Sequence, residues 1–168
     1  MSRKKPPAGG TPAVRLLKAS GTPFALRAYE HDPAAASYGL EAAEVLGVDP
    51  ARVYKTLLAQ TDLPRDRGLV VAVVPVAGQL DLKALAAAVG AKKATMADPA
   101  LAERTTGYVV GGISPLGQKR ELRTVIDESA LIHDTVLVSG GRRGLDVELS
   151  PADLVALTSA TTAPIGRP

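Results

Sequence analysis

The chain has no cysteine and no tryptophan, and aromatic residues make up only 3% of its 168 positions. Without cysteine it can form no disulfide, thiolate metal site, iron–sulfur cluster or cysteine nucleophile. Its two histidines, His31 and His133, show no HExxH spacing, and a zinc site would need carboxylates to complete it, so neither a metal nor a cofactor is expected. One Phe and four Tyr cannot build the platform on which single-strand binders stack successive bases. No apolar run nears membrane-spanning length and none follows the basic start, so a cytoplasmic protein with no membrane partner is expected. A large excess of one sign of charge is lacking too. The net charge is +3, but Arg3, Lys4 and Lys5 supply three of the 20 basic residues, leaving 17 against 17 acidic ones from Pro6 onward. So neutral a body lacks the basic face needed to hold a long duplex by its phosphates, and DNA is not an expected partner.

What remains is a globular composition: 46% hydrophobic and 22% charged, with a core to be made of Ala, Val, Leu and Ile. The Pro/Gly/Lys stretch 1–10 reads as a disordered tail, 11–157 as a single domain and 158–168 as a frayed end. Thr11-Pro12 opens a helix that Gly21 stops. Phe24, Leu26 and Ala28 alternate as in a strand, and a loop runs from Glu30 to Tyr38. Further helices are expected at Leu40–Leu46, at Leu82–Val89 behind Asp81, from Asp98-Pro99, and from Ser150-Pro151. Strands are expected at Val53–Leu58, Leu69–Val74, Thr124–Ile126, Thr135–Val138 and Leu145–Leu149, with a tight turn at Ser139–Gly144. Strands following one another through short turns disfavour a Rossmann or barrel α/β plan. The expectation is α+β: a mixed, curled, β-barrel-like sheet surrounded by helices.

Familiar catalytic motifs are missing. Gly112–Lys119 superficially resembles a phosphate loop, but Gln118 separates Gly117 from Lys119, and Pro115 removes a backbone donor. There is no GxSxG elbow. Lys55 stands in the apolar strand Val53–Leu58, either as an edge lysine whose stem covers apolar surface or as a cation at a pocket wall. Asp146 reads as a turn carboxylate or as a pocket residue facing Lys55. His31-Asp32, beside Pro33, reads as a loop-fixing pair, and Glu41 and Glu44 as solvated surface. The basic pairs Lys92-Lys93, Lys119-Arg120 and Arg142-Arg143 can touch a few phosphates or simply be solvated.

Several segments, taken together, resemble the YbaK family of freestanding aminoacyl-tRNA deacylases, relatives of the editing domain inserted in bacterial prolyl-tRNA synthetases. They are Thr11–Ala13, Tyr29–Pro33, Glu41–Glu44 with Leu46-Gly47, Lys55–Leu57, Met96–Asp98, Thr106–Lys119 and Ser139–Leu145. The resemblance runs from about residue 11 to 155, and its most specific parts are the Gly111–Pro115 loop and the upstream Lys55. It implies removal of cysteine from mischarged tRNA(Pro), with the tRNA acceptor end and prolyl-tRNA synthetase as partners. It further implies that Lys55 is the essential basic residue, with Tyr29 and Asp146 beside it as catalytic residues. Gly111, Gly112, Ile113, Ser114 and Pro115 would hold the aminoacyl ester near the terminal adenosine, and Tyr38 and Thr56 would line the amino-acid pocket. Tyr38 stands where close relatives tend to have Phe. In the mechanism the family suggests, the substrate thiol attacks its own ester, which suits a protein without a nucleophile. Deacylation of alanyl- or seryl-tRNA by water, or a non-catalytic module binding aminoacyl-tRNA or a synthetase, are the alternatives.

Overall fold

The apolar run Leu69–Pro75 is β3, the centre of the computed structural model, which describes residues 10–35 and 37–168. Leu69 to Val74 are all buried because both faces of β3 are covered. Val71 and Val73 join Leu58, Ile126, Val147 and Leu154 in one core. Val70, Ala72 and Val74 join Leu85, Val125 and Ile165 in another. Near-continuous Val/Leu sequence is what such a strand needs.

β2 (Tyr54–Thr61) pairs antiparallel with β3, from Tyr54 opposite Pro75 to Gln60 opposite Leu69. β6 (Thr124–Asp127) lies parallel to β3, and β5 (Ala94–Met96) covers only the Ala59–Thr61 end of β2. A second sheet places β8 (Leu145–Leu149) between β1 (Ala25–Ala28) and β7 (Val136–Arg142). A bridge from Val53 to Leu137 ties these two sheets together, and among the described residues they do not close into a barrel. The fold is mixed α+β.

Among the described residues, five α-helices pack around the sheets. α1 (Pro12–Ser20) starts where the Thr11 hydroxyl accepts from the Val14 N–H and buries Ala13, Val14 and Leu17. α3 (Leu82–Val89) is capped by Asp81, α4 (Pro99–Thr106) by Asp98, and α5 (Pro151–Thr158) has Pro151 in its first turn. α2 (Tyr38–Leu46) begins earlier than its sequence suggests: Ser37 caps it, so Tyr38 opens the helix instead of ending a loop.

Two other expectations are corrected. β7 continues through Ser139–Arg142, with a register irregularity there, so the turn is confined to Arg143 and Gly144. The end 158–168 is not frayed. It supplies β9 (Thr161–Ala163), parallel to β6, and β10 (Gly166–Arg167), paired with β4 (Gln79–Leu80). Ile165 between them is fully buried, and the Asp127 carboxylate accepts from the N–H groups of Ile165 and Gly166 at 3.0 and 2.8 Å. The N-terminal tail, apart from Gly10, lies outside the described residues. No helix among those residues is long and apolar enough to cross a membrane.

Candidate active site

A cavity of about 340 Å³ opens where the edge of β2 meets the second sheet. Between the Val53 bridge and Ala59, no strand pairs with this edge of β2 among the described residues. Lys55 and Thr56 line the opening from β2, Asp146 and Ser139 from β8 and β7, Tyr38 from the start of α2, and Gly111 and Ile113 from the loop after α4. Tyr29, just past β1, completes the wall and is fixed by its N–H donating to the Gly144 carbonyl at 2.9 Å. Seven of the ten expected site residues therefore line one cavity. The other three, Gly112, Ser114 and Pro115, do not line it.

Asp146 occupies the middle strand of its sheet, opposite Arg27 on β1 and Ser139 on β7. It is 6% exposed, and burial pushes its carboxyl up to about 7, with the Arg27 charge opposing. No hydrogen bond from a described residue stabilises the ionised form. Burial, then the Asp146 charge, pushes the Tyr29 hydroxyl up to about 12, so Tyr29 stays a neutral donor. Lys55 is half-buried and donates to the Gly78 carbonyl at 2.9 Å, and burial holds its pKa below the ordinary lysine value. Both earlier readings of Lys55 meet here, since it is an edge-strand lysine at a cavity wall. Thr56 Oγ1, at the cavity wall, is buried without a hydrogen-bond partner among the described residues.

The Gly111–Pro115 loop divides into two parts. Gly111 has φ +89, and a side chain there would strike the Tyr38 ring at 2.6 Å. Arg143 locks this end, its guanidinium 4.6 Å above the Tyr38 ring and its Nη2 donating to the Val110 carbonyl at 2.7 Å. Gly112, Ser114 and Pro115 are buried away from the cavity. The Gly112 N–H donates to the Val109 carbonyl at 2.9 Å, so it is not free to stabilise an oxyanion. Its hydrogens instead admit the backbone of Arg142 and Arg143, which a Cβ would meet at 2.8–2.9 Å. Ser114 is fully buried, its hydroxyl accepting from Leu116 N–H.

Glu41 is no surface residue. It is 8% exposed and accepts from His31 Nδ1 at 2.8 Å and from Asp32 N–H at 2.7 Å. Burial raises its pKa, but these hydrogen bonds outweigh burial and hold it below the usual value. His31 thus fixes the loop, as its sequence context suggests, through a partner ten residues away. Ser37 and Ser139 also line the cavity, and sequence reasoning did not single out either. The Ser139-Gly140-Gly141 run could have flagged Ser139, because such glycines allow close packing beside it.

The cavity thus brings a lysine and a buried carboxylate together, with no cysteine or histidine among its lining residues. The chain belongs to the aminoacyl-tRNA editing domain family, a class of aminoacyl-tRNA deacylases, whose model matches residues 32–157. It is 37% identical over 156 residues to an Enterococcus faecalis (strain ATCC 700802 / V583) protein provisionally named Cys-tRNA(Pro)/Cys-tRNA(Cys) deacylase EbsC, covering 92% of each chain. A crystal structure described as a candidate trans-editing enzyme for prolyl tRNA synthetase superposes with a TM-score of 0.82 at 24% identity, covering 98% of this chain and 100% of that one. The crystal structure of hypothetical protein APE2540 superposes with a TM-score of 0.81 at 26% identity, covering 93% and 99%. These likenesses bear out the resemblance and fold read from the sequence.

Proposed function

We propose that this chain clears Cys-tRNA(Pro) in trans, with the substrate's own thiol as nucleophile. The observation carrying this reading is a cavity that offers a cation, a near-neutral carboxyl and hydroxyls, but no cysteine and no serine–histidine pair. Asp146, pushed up to about 7, is matched to accept the thiol proton. Sulfur then bonds to the ester carbonyl carbon, the bond from that carbon to the ribose oxygen breaks, and the oxygen takes up the proton. The products are free tRNA and a cyclic thioester. Lys55, swung from the Gly78 carbonyl, offsets the charge on the carbonyl oxygen. Tyr29, Tyr38, Thr56, Gly111 and Ile113 orient the aminoacyl group. Intramolecular attack in a good geometry can supply roughly 7–11 kcal/mol through effective molarity.

The substrate partner is the acceptor end of a mischarged tRNA, in keeping with the family. Prolyl-tRNA synthetase is the further partner this reading carries, supported by the description of the 24%-identical structure. The deciding experiment compares deacylation of Cys-, Ala- and Pro-tRNA(Pro) by the wild type and Lys55→Ala. Rapid loss of cysteine alone, abolished by the substitution, is expected. Equal turnover of Ala-tRNA(Pro), which cannot cyclise, would replace the thiol by an activated water. Full activity of Lys55→Ala would remove Lys55 from the mechanism.

A further inference from the structure

On the side of α4 turned from the cavity lies a second feature that the chemistry does not use. Pro99 and Ala102 of α4 line the cavity, whereas Leu101, Arg104 and Thr105 line a shallow groove shared with Arg67 and Arg120. Roughly one helix diameter, about 10–12 Å, separates the two. The groove's carboxylate is Asp66, which is bonded to Arg120 at Nε, 2.8 Å, and at Nη2. Arg65 reaches the same carboxylate at 3.7 Å. Glu103 turns the other way, accepting from the Val110 N–H at 2.8 Å, and Glu121 lies along the adjoining groove. Arg67 and Arg104 are exposed and make no ion pair among the described residues. Lys119, exposed beside Gly107 at the end of α4, adds another cation.

The backbone presenting Arg67 is unusual. Asp66 and Arg67 have φ of 53° and 57°, left-handed conformations that Gly or Asn would adopt at less cost. Gln60 holds the Arg67 carbonyl at 3.0 Å, Thr61 holds that of Gly68 at 2.8 Å, and Arg120 holds Asp66. The loop thus fixes one arginine beside two others. In a chain whose body is close to neutral overall, such a concentration of cations is local, not a diffuse property of the surface.

We infer that this groove binds backbone phosphates of the RNA acceptor stem while the 3′ end passes α4 into the cavity. The inference rests on the editing reading for its orientation. Guanidinium groups suit phosphate through paired donors, and a small cluster gives contact without the basic face a long duplex requires.

The test measures binding of an uncharged tRNA(Pro) acceptor-stem hairpin with a 3′ CCA end by fluorescence anisotropy across a salt series. Arg67→Asn/Arg104→Gln is compared with wild type and with Lys18→Gln/Lys83→Gln, which removes equal charge from α1 and α3. Asn tolerates the left-handed backbone, so the fold is retained, and thermal melting checks this. The groove variant is expected to bind about tenfold more weakly, with the salt slope reduced by about two. Its KM for aminoacyl-tRNA rises while kcat stays unchanged, and the control variant behaves as wild type. Wild-type affinity and slope in the groove variant would overturn the proposal, as would loss of synthetase binding with RNA binding intact. A wild type inert on Cys-tRNA(Pro), with hairpin binding still lost in the groove variant, would refute the activity and sustain the groove.

Discussion

Asp146→Asn isolates the cost of placing a carboxylate on a buried strand. In the folded protein the group's pKa is raised from 3.8 to about 7, chiefly by burial, a shift of roughly three units. At about 1.36 kcal/mol per unit, the ionised carboxylate costs the fold about 4 kcal/mol once fully formed. The folded state binds the proton more tightly, so stability is full below the unfolded value near 4 and declines as pH rises to about 7. Asparagine has nearly the same shape and no charge, and no described donor to the carboxylate is lost by the change. Urea unfolding at pH 4 should give nearly equal stabilities for variant and wild type. The gap should widen in the variant's favour at about 1.4 kcal/mol per pH unit and level off above pH 7 near 4 kcal/mol. The variant should also lose most deacylation on Cys-tRNA(Pro), while wild-type kcat/KM rises as pH approaches 7. A stability gap independent of pH would refute the burial argument. A stable, fully active variant would refute the assignment of Asp146 as the proton acceptor.

Lys55→Met keeps the stem and removes the charge, so activity should fall at least about a hundredfold. Its melting temperature should drop by no more than about 2–4 °C, because water can replace the ammonium at the partly exposed Gly78 carbonyl. Gly112→Ala should lower stability by about 1–3 kcal/mol, since its Cβ meets backbone atoms of Arg142 and Arg143 that cannot rotate aside. An unchanged melting curve would show that the loop yields easily. Asp127→Ala removes the acceptor for Ile165 and Gly166 N–H and for Ser129, and should cost about 2–4 kcal/mol by denaturant titration. Exhaustive chelation should leave deacylation unchanged; a loss restored by one added metal would contradict the metal-free reading.

Much of this architecture is local and therefore legible. Thr11, Asp81 and Asp98 cap helices as their positions before apolar or Pro-led runs require, and Gly21, Gly47 and Gly90 end them in left-handed conformations. What escaped sequence reading depends on distant partners. Thr161–Ala163 has no strand pattern of its own and becomes one only beside β6. Gly39 resembles a helix breaker, yet it lies inside α2 because any Cβ there would meet Val76 Cγ1 at 2.3 Å. Glu41 has the spacing of a surface carboxylate, and its burial follows from a histidine and an amide on another segment. Lys55 and Asp146 were legible as anomalies, charges in apolar strands. That they share a cavity with Gly111, whereas Gly112 is a packing residue, depends on how β7 and β8 pack against the loop.

The C-terminal strands connect these observations to the site. Gly78, whose carbonyl receives the Lys55 ammonium, packs so tightly on β10 that a Cβ would lie 2.5 Å from the Arg167 carbonyl. Asp127 anchors the segment that brings Arg167 there. Lys55 is thus held by a turn that the last residues of the described chain shape, although those residues do not line the cavity. Resting on the Gly78 carbonyl before substrate binds, the lysine makes no ion pair with Asp146 among the described residues, a pair that would pull the carboxyl's pKa down. In the proposed reaction this separation lets the carboxyl, pushed up to about 7, accept the proton while the cation serves the carbonyl oxygen. Under that proposed reaction, discrimination rests with the substrate. A pocket sensing size alone gains about 1–3 kcal/mol per methylene, whereas a proline ester has no thiol with which to begin the reaction.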